Sequence, residues 1–410
     1  MPTTDWQFLL NGTTNFNSYV LSASIKQGRE KYLDFYAGGS ISITINNNTN
    51  YSSNFVFNTT ILLENGTGVN RSFRQKFVVQ EITFDDYPGN TGLSTATIFA
   101  VDPLARAGRI QATNVALAQN NTINQLETFN GNPLPSDLNI NALYGGGESI
   151  ASAQTYTGTV LNQINISNAT ERGLVVTAVG VVAPFDSSIR LFERVNPYIT
   201  PASFSFGRST SASVIAYRSF ERYQNGLSFV NTATISPLGL SSETRTNSSS
   251  VTAYGATFFS STTVDYNATQ AQGNGDWIVN SFSDPASLRF ELEFTDKMQN
   301  DTAFALFNNY FFTADSLLYE VDYLVPGDSS ESAVQLVREG WQININPSET
   351  TYRLFFSPLT YYSFFTLDSA TLGLLGGGNI TYEQPEITYD ETGWVYNDSN
   401  ADDTASRLGW

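Results

Sequence analysis

The sequence predicts a mainly β protein with an α/β insertion. Three observations carry that class. Apolar and polar residues alternate through most of residues 1–100, the breaks between those runs are built from Gly, Asn, Asp and Pro, and helical spacing shows only in short stretches further on. A chain of 410 residues is also long enough to form two or three packed units around a sizeable core.

The elements follow in order. Tyr19, Leu21, Ala23 and Ile25 alternate with polar neighbours, and Ile41, Ile43 and Ile45 alternate with Ser42, Thr44 and Asn46, the pattern of strands with one buried face. Similar runs in "NFVFNTTILLE", "RQKFVVQEITF" and "TATIFAV" are divided by "NGTG" and "DDYPGNTG". Residues 1–100 therefore read as a small antiparallel barrel or sandwich. At "DPLARAGRI" the pattern changes, because Asp followed by Pro suits a helix N-cap and first turn. "NTINQLETF" places Ile123, Leu126 and Phe129 at roughly helical spacing, and "TGTVLNQINISN" puts Val160, Leu161 and Ile164 on one helix face. "ERGLVVTAVGVVAPF" reads as two apolar strands around a turn at Ala178 to Gly180. Residues 101–200 are an α/β unit on this reading.

Strands return in 201–240, give way to a mixed insertion over 241–315 with a helix at "GDWIVNSFSD", and resume over 316–382. The two strand-rich stretches would together complete a second β unit. Residues 383–410 are acidic and short of branched aliphatics, which predicts an extended arm.

Composition excludes much chemistry. There is no Cys and no His, so there is no disulfide frame, no thiolate zinc site and no imidazole proton shuttle. No Ser-His-Asp or Cys-His triad can be built. The acid pairs Asp85 and Asp86, Glu291 and Glu293, and Asp402 and Asp403 are near neighbours in sequence, whereas a glycosidase pair must flank one sugar bond across a cleft. The segment "DYNATQAQGNGD" has oxygen ligands at spacings like a calcium loop, but Gln270 stands where Gly is needed and Asp276 where Glu is needed, so it reads as a polar loop. "YGGGES" and "LLGGGN" lack the Walker lysine and the dinucleotide spacing and read as turns or hinges. We expect a non-enzymatic protein with no metal and no cofactor. Tyr352, Phe355, Phe356 and "YYSFF" offer a sugar-stacking reading, but their alternation fits a buried sheet face more simply.

The net charge of -18, from 20 basic and 38 acidic residues, argues against wrapping nucleic acid, which needs clustered cations. No apolar run approaches the ~20 residues that span a bilayer, and the polar opening "MPTTDWQ" lacks a secretory pattern. The expectation is a soluble product of a cytoplasm, in which sequons such as Asn58-Thr-Thr carry no glycan.

The order of motifs resembles one family, the hub proteins of long-tailed phage tails, also called minor tail or tail-associated baseplate proteins. Its first marker is a strand ending in a Gly-Arg bend that continues through an aromatic and Ala-Gly into an alternating strand, here "ASIKQGREKYLDFYAGGSISITINN". The others are "TATIFAVDPLARAGRI" with the "INQLETFNGNP" helix, "ERGLVVTAVGVV", "VNTATISP" followed by "SSSVTAYGATFF", and "EGWQININPSETTYRLFFSP" with "FFTLDSATLGLLGGG". Together they span about residues 10–382. Two departures stand out: Gln27 replaces a residue that is often basic, and "NNNTNYSSNF" replaces a short Asp-Pro turn.

The resemblance implies two pseudo-symmetric β-barrels with a small α/β domain between them. As a homotrimer, such a chain offers six similar barrels to the six-fold tail tube and carries a tip fibre or spike. Its partners would be a tail tube or distal tail protein, the tip fibre or spike, and a tape-measure protein. DNA would pass in transit without being bound; Asp and Glu lining the bore would repel it, although acids that merely keep a large assembly soluble explain the charge equally. The protein would reside in the virion tail tip after assembly in the host cytoplasm. Two alternatives stay open, a carbohydrate-binding receptor-recognition protein and a six-fold distal tail or tube ring. Within this frame Lys26, Arg29, Glu30, Lys31 and Asp34 are candidate subunit-interface residues, although a solvated bend explains them equally. The interface reading predicts that Arg29→Glu with Lys31→Glu blocks ring assembly while the monomer stays folded. Trp394, Tyr396 and Trp410 are candidate anchors of the C-terminal arm.

Overall fold

The computed structural model describes residues 6–65, 73–87, 89, 93–144, 150–171, 175–180, 187–192, 205–223, 229–285, 289–299, 302, 304, 307, 318–324, 331–358, 388–389 and 394–395. Contacts divide the chain into two compact units, Met1–Tyr361 and Tyr362–Trp410.

The first unit opens with β1 (Trp6–Leu10), β2 (Thr14–Asn15), β3 (Val20–Gly28), β4 (Ala37–Asn46), β5 (Thr60–Asn65), β6 (Phe73–Asp85) and β7 (Thr95–Val101). The alternation read for β4 holds, with Ile41, Ile43 and Ile45 fully buried and their polar neighbours half-exposed. The run "NFVF" is not a strand. Tyr51–Asn54 forms a 3-10 turn and Asn58 takes a left-handed φ of 68°, which leaves Val56 and Phe57 in the open.

Next come α1 (Pro103–Ala107), β8 (Gln111–Leu117), β9 (Asn120–Asn121), α2 (Thr122–Glu127), β10 (Leu138–Tyr144), β11 (Ile150–Ala151), β12 (Gln154–Thr159), α3 (Val160–Thr170), β13 (Val175–Gly180) and β14 (Ser187–Phe192). Asp102 caps α1 as its sequence indicates, accepting from Ala105 N at 2.8 Å. The expected turn at Ala178 to Gly180 is instead the end of β13, which pairs antiparallel with β14 so that Gly180 faces Ser187. Leu104, Ile123, Leu126, Phe129, Val160 and Ile164 belong to one apolar cluster of this region.

The chain continues through β15 (Ser205–Gly207), β16 (Val214–Ala216), β17 (Ser219–Tyr223), β18 (Thr232–Pro237), β19 (Glu243–Thr246), α4 (Ser248–Tyr254), β20 (Phe258–Thr263), α5 (Ala268–Phe282), β21 (Arg289–Thr295), β22 (Leu318–Leu324), β23 (Glu331–Ile345) and β24 (Thr350–Pro358). The helix expected at "GDWIVNSFSD" begins earlier, at Ala268 under an Asn267 cap, and absorbs most of the segment read as a polar loop. Tyr352 and Phe356 join the core, as the sheet-face reading required, whereas Phe355 is buried on the opposite face under Lys26, Arg289 and Arg353, and "YYSFF" lies outside the described residues. So do the glycines of "YGGGES" and "LLGGGN". In the second unit, β25 (Thr388–Tyr389) pairs antiparallel with β26 (Trp394–Val395).

Pairing joins the early and late strands into one 14-stranded sheet, through β3 and β23. Among the described residues neither region closes a hydrogen-bonded ring. One apolar cluster lies under both, running from Trp6 and Phe8 through Ile43 and Ile98 to Phe294 and Tyr352.

The abundance of Asn has a structural use. A side-chain amide offers both donor and acceptor groups, so it can stand in for a neighbouring strand. Asn17 does so for Phe8 N and Trp6 O, Asn130 for both backbone groups of Ile140, Asn165 for both of Tyr36, Asn231 for Thr257 N and Gly255 O, and Gln299 for both of Ala216.

Candidate functional site

The charged bend lies where β3 leaves the sheet. Gly28 takes φ +87 and faces Gly340 of β23. The backbones approach so closely that a Cβ on Gly28 would stand 2.4 Å from Glu339 O, and one on Gly340 would stand 2.5 Å from Arg29 O. Glycine is the residue that fits both positions. The bend therefore turns inward, and Arg29 is buried at 4% exposure. Its Nε lies 2.6 Å from Glu339 Oε2, its backbone N–H donates to Glu339 O at 3.1 Å, and its guanidinium sits 4.6 Å from the Tyr36 ring centroid and 4.9 Å from that of Tyr32. Arg29 is thus committed within its own chain. The expectation that Arg29→Glu leaves the monomer folded is corrected, because it would set two carboxylates together in a dry site.

Other motif residues converge here. A Cβ on Gly38 would meet Ala105 of α1 at 2.3 Å, and one on Gly39 would meet Asp102 Oδ2 at 2.4 Å. Gln27 Nε2 donates to Asp102 Oδ2 at 3.2 Å, so Gln27 contacts the helix cap. Asp102 is fully buried, and desolvation pushes its pKa up to about 7 despite donors from Ala105, Gly39, Gln27 and Leu104. Beside Glu339, the buried Arg338 donates to the Tyr319 hydroxyl at 3.2 Å, and burial lowers its pKa.

The remaining bend charges lie nearer the surface. Lys26 Nζ pairs with Glu30 Oε1 at 2.9 Å, and Arg289 bridges Glu30 at 3.1 Å to Glu291 at 3.2 Å, where Arg353 also pairs. The hydrogen bond from Lys26 holds the Glu30 carboxyl below its usual range. Lys31 lies 3.8 Å from Asp34, whose pKa burial raises. Beside them a cavity of about 230 Å³ is lined by Tyr32, Val230, Phe259 and Phe282.

The structure brings Lys26, Arg29, Glu30, Lys31 and Asp34 into one bend. Among the C-terminal aromatics, Trp394 starts β26, while Tyr396 and Trp410 lie outside the described residues. Of the acid pairs, Asp85 and Asp86 are exposed, Glu291 is tied to two arginines, and Asp402 and Asp403 lie outside the described residues. The former calcium candidate splits, with Asp276 on Arg245 at 2.5 Å and Asp265 bonded to Thr263 and Asn274. Among the described residues no acidic cluster can hold a metal ion. Sequence reasoning missed Glu339, Tyr32, Tyr36 and Asn165, and read Asp102 only as a helix cap. The available signal was "GRE" at 28–30 against "REG" at 338–340, two charged Gly bends.

The bend also borders a broad polar face. Eight strands run β17-β21-β24-β23-β3-β4-β7-β6, every neighbouring pair antiparallel. One rung across seven of them reads Thr295, Thr351, Asn344, Ser24, Ser42, Phe99 and Glu81. Ser24 bonds Asn344 at 2.7 Å, and Thr44 lies 3.5 Å from Thr97. The opposite face carries the core. At the Gly38 end α1 packs against the polar face, and Val78 and Val101 are buried.

No protein-family model and no curated protein sequence matches this chain. Solved structures do. A tail protein from Neisseria meningitidis superposes with a TM-score of 0.58 at 10% identity, covering 86% of this chain and 96% of that one. The 43 kDa tail protein of prophage MuSo2 from Shewanella oneidensis gives 0.53 at 11%, covering 87% and 98%. A prophage tail protein from Listeria monocytogenes gives 0.47 at 11%, covering 86% and 94%. At such identities the likeness is one of architecture, and this mainly β chain shares its fold with the Neisseria and Shewanella tail proteins.

Proposed function

We propose that this chain is a structural, non-enzymatic component of a phage tail, a hub that assembles as a homotrimer and forms part of the DNA conduit. The observation that carries the proposal is the unbroken antiparallel run of eight strands with one polar and one apolar face. Three copies would supply about 24 strands, which at about 4.8 Å spacing give a circumference of roughly 115 Å and a bore roughly 37 Å across between backbones. The apolar face must stay on each chain's own core, so the polar face would line the bore. Its hydroxyls and amides are flanked by Glu81, Asp85 and Glu293, and its cations Lys26, Arg289 and Arg353 are engaged by Glu30 and Glu291, which would weaken their hold on passing DNA.

In this reading the strands of 1–100 and those of 201–240 and 316–382 are the two pseudo-symmetric barrels, while 101–200 and 241–315 are the intervening domain and insertion. The partners are a tail tube or distal tail protein, a tip fibre or spike and a tape-measure protein, in a virion assembled in the host cytoplasm. Among the bend residues Lys26, Glu30, Lys31 and Asp34 stay available for a neighbour, with Arg29 fixing their position. Trp394, Tyr396 and Trp410 remain proposed anchors of the arm 383–410. Native mass spectrometry at high protein concentration tests this, with a three-subunit particle expected. A six-subunit particle would indicate a tube ring, and a persistent monomer that binds glycan would indicate a receptor-recognition module; either result refutes the hub.

A further inference from the structure

The small sheet β19-β18-β20 turns one face to α5 and leaves the other in the open. Ile235 and Arg245 mark the covered side, because a Cβ on Gly275 of α5 would stand 2.5 Å from Arg245 Cγ and 3.6 Å from Ile235 Cγ1. Alternation sends their neighbours outward. The register sets Thr244, Thr234 and Ser260 in one row across the three strands, and Ser236 with Thr262 in the next, where Ser242 meets Ser236 at 2.9 Å. Rows lie about 6.8 Å apart and strands about 4.8 Å apart, so the face is a regular lattice of hydroxyls. All six residues are exposed or half-exposed, and no charged side chain stands among them. The charges of β19 go the other way, Arg245 pairing with Asp276 and Glu243 accepting from Gln272 at 3.1 Å.

Phe258 stands at one corner of the lattice, two residues before Ser260 on the same face, and is 75% exposed. It also forms a wall of the cavity of about 230 Å³ beside the bend, which Phe229 and Phe259 line as well. Phe229 packs edge-on against Tyr254, itself 55% exposed. We propose that this face docks an uncharged polysaccharide, with one sugar ring laid on Phe258 and the following sugars hydrogen-bonded to the lattice.

The chemistry of the face selects that partner. A hydroxyl is one donor and two acceptors, so the pair Thr234 with Thr244, at 3.1 Å, and the pair Ser236 with Ser242 each keep a donor and several acceptors for a ligand. Pairing also fixes where those groups point, which lowers the cost of ordering them on binding. Sugar hydroxyls have the same mixed capacity, and the C–H side of a sugar ring suits the face of an exposed aromatic. Nucleic acid would need clustered cations, which the face lacks. A protein partner would favour an apolar centre, and serine is depleted at such interfaces. In a chain of net charge -18, a face without charge also suits a partner without charge. The inference goes beyond the hub reading and does not depend on it, because the whole face belongs to one chain.

Calorimetric titration of the full chain with cellohexaose, chitohexaose and maltohexaose tests it, with glucose and hexagalacturonate as controls. We expect at least one of the neutral hexamers to bind with a Kd of about 1 mM or below, and both controls to bind at least about tenfold more weakly. Phe258→Ala should weaken that binding about tenfold. Thr234→Val with Thr244→Val, which keeps the branched shape and removes one hydroxyl pair, should weaken it about fivefold, and neither variant should move Tm. Failure of all the neutral hexamers to bind, or binding that both variants leave unchanged, overturns the proposal. Equal binding of glucose or of hexagalacturonate overturns it too, because the face would then not select an uncharged chain. The native mass of the same preparation reads the hub separately: a trimer that binds no glycan sinks only this face, and a glycan-binding monomer sinks only the hub.

Discussion

Replacing Asp102 by Asn removes a carboxyl that the fold buries completely between β3, β4 and α1. The groups that hold it are neutral: the amide of Gln27 and the backbone N–H groups of Gly39, Leu104 and Ala105. Desolvation outweighs these donors and pushes the folded-state pKa up to about 7, against 3.8 for a free aspartate. A carboxyl whose folded pKa is raised contributes stability that is present below the unfolded pKa and is lost as pH rises through the folded one. Ionising Asp102 should therefore withdraw stability steadily between about pH 4 and pH 7, by roughly 3 pH units at about 1.4 kcal/mol each, or about 4 kcal/mol from this group. Asn keeps an acceptor for Ala105 N, and Gln27 can turn its amide to face the new Nδ2, so the cap survives while the titration disappears. Urea unfolding at pH 5, 6, 7 and 8 measures the effect, with the slope for Asp102→Asn flatter than for the native chain by about 1.4 kcal/mol per unit up to pH 7. Parallel curves at all four values would show that Asp102 does not titrate in this range and that its hydrogen bonds outweigh its burial.

Three further outcomes follow from the same junction. Arg29→Met should destabilise the chain by about 3–5 kcal/mol by taking the guanidinium from Glu339 in a dry site, and adding Glu339→Leu should recover most of that loss, both read by urea midpoint. Gly38→Ala puts a methyl 2.3 Å from Ala105 Cα and should lower stability by about 1–3 kcal/mol, visible as a falling Tm. Asn231→Leu removes the bracket on Gly255 and Thr257 and should cost about 1–3 kcal/mol, with amide hydrogen exchange at Thr257 rising more than elsewhere.

Local patterns were legible because their causes are local. Alternation in Ile41 to Asn46 announces a half-buried strand, Asp102 with Pro103 announces a helix start, and Tyr352 and Phe356 of β24 announce a core face. What misled was local as well. "NFVF" alternates but Asn58 breaks it, and the polar segment after Asp265 looks like a loop until Asn267 caps it into α5. The long-range terms could not be read in this way. Arg29 finds Glu339 310 residues away, and nothing in the period of either strand marks which charge of "KQGREK" turns inward. The glycines do mark it, because Gly28 and Gly340 are needed only if two backbones touch.

That contact brings together motifs that are scattered along the chain. "QGRE" and "REGW" meet at the Gly28 and Gly340 crossing, "YAGG" lies under "DPLA" through Gly38 and Gly39, and α3 grips Tyr36 through Asn165. Each motif supplies the partner of another, so none is informative alone. The crossing is also the point at which the early and late strands become one sheet. A wall made of two β regions needs a joint that neither slips in register nor lets water in. A buried ion pair flanked by two aromatic rings supplies both properties, because a one-residue slip would strand two charges in the core. The bend is charged, in a chain otherwise rich in hydroxyls and amides, because charge sets register more strictly than apolar contact does. Its outer residues Lys26 and Glu30 extend the same lock toward Arg289 and β21.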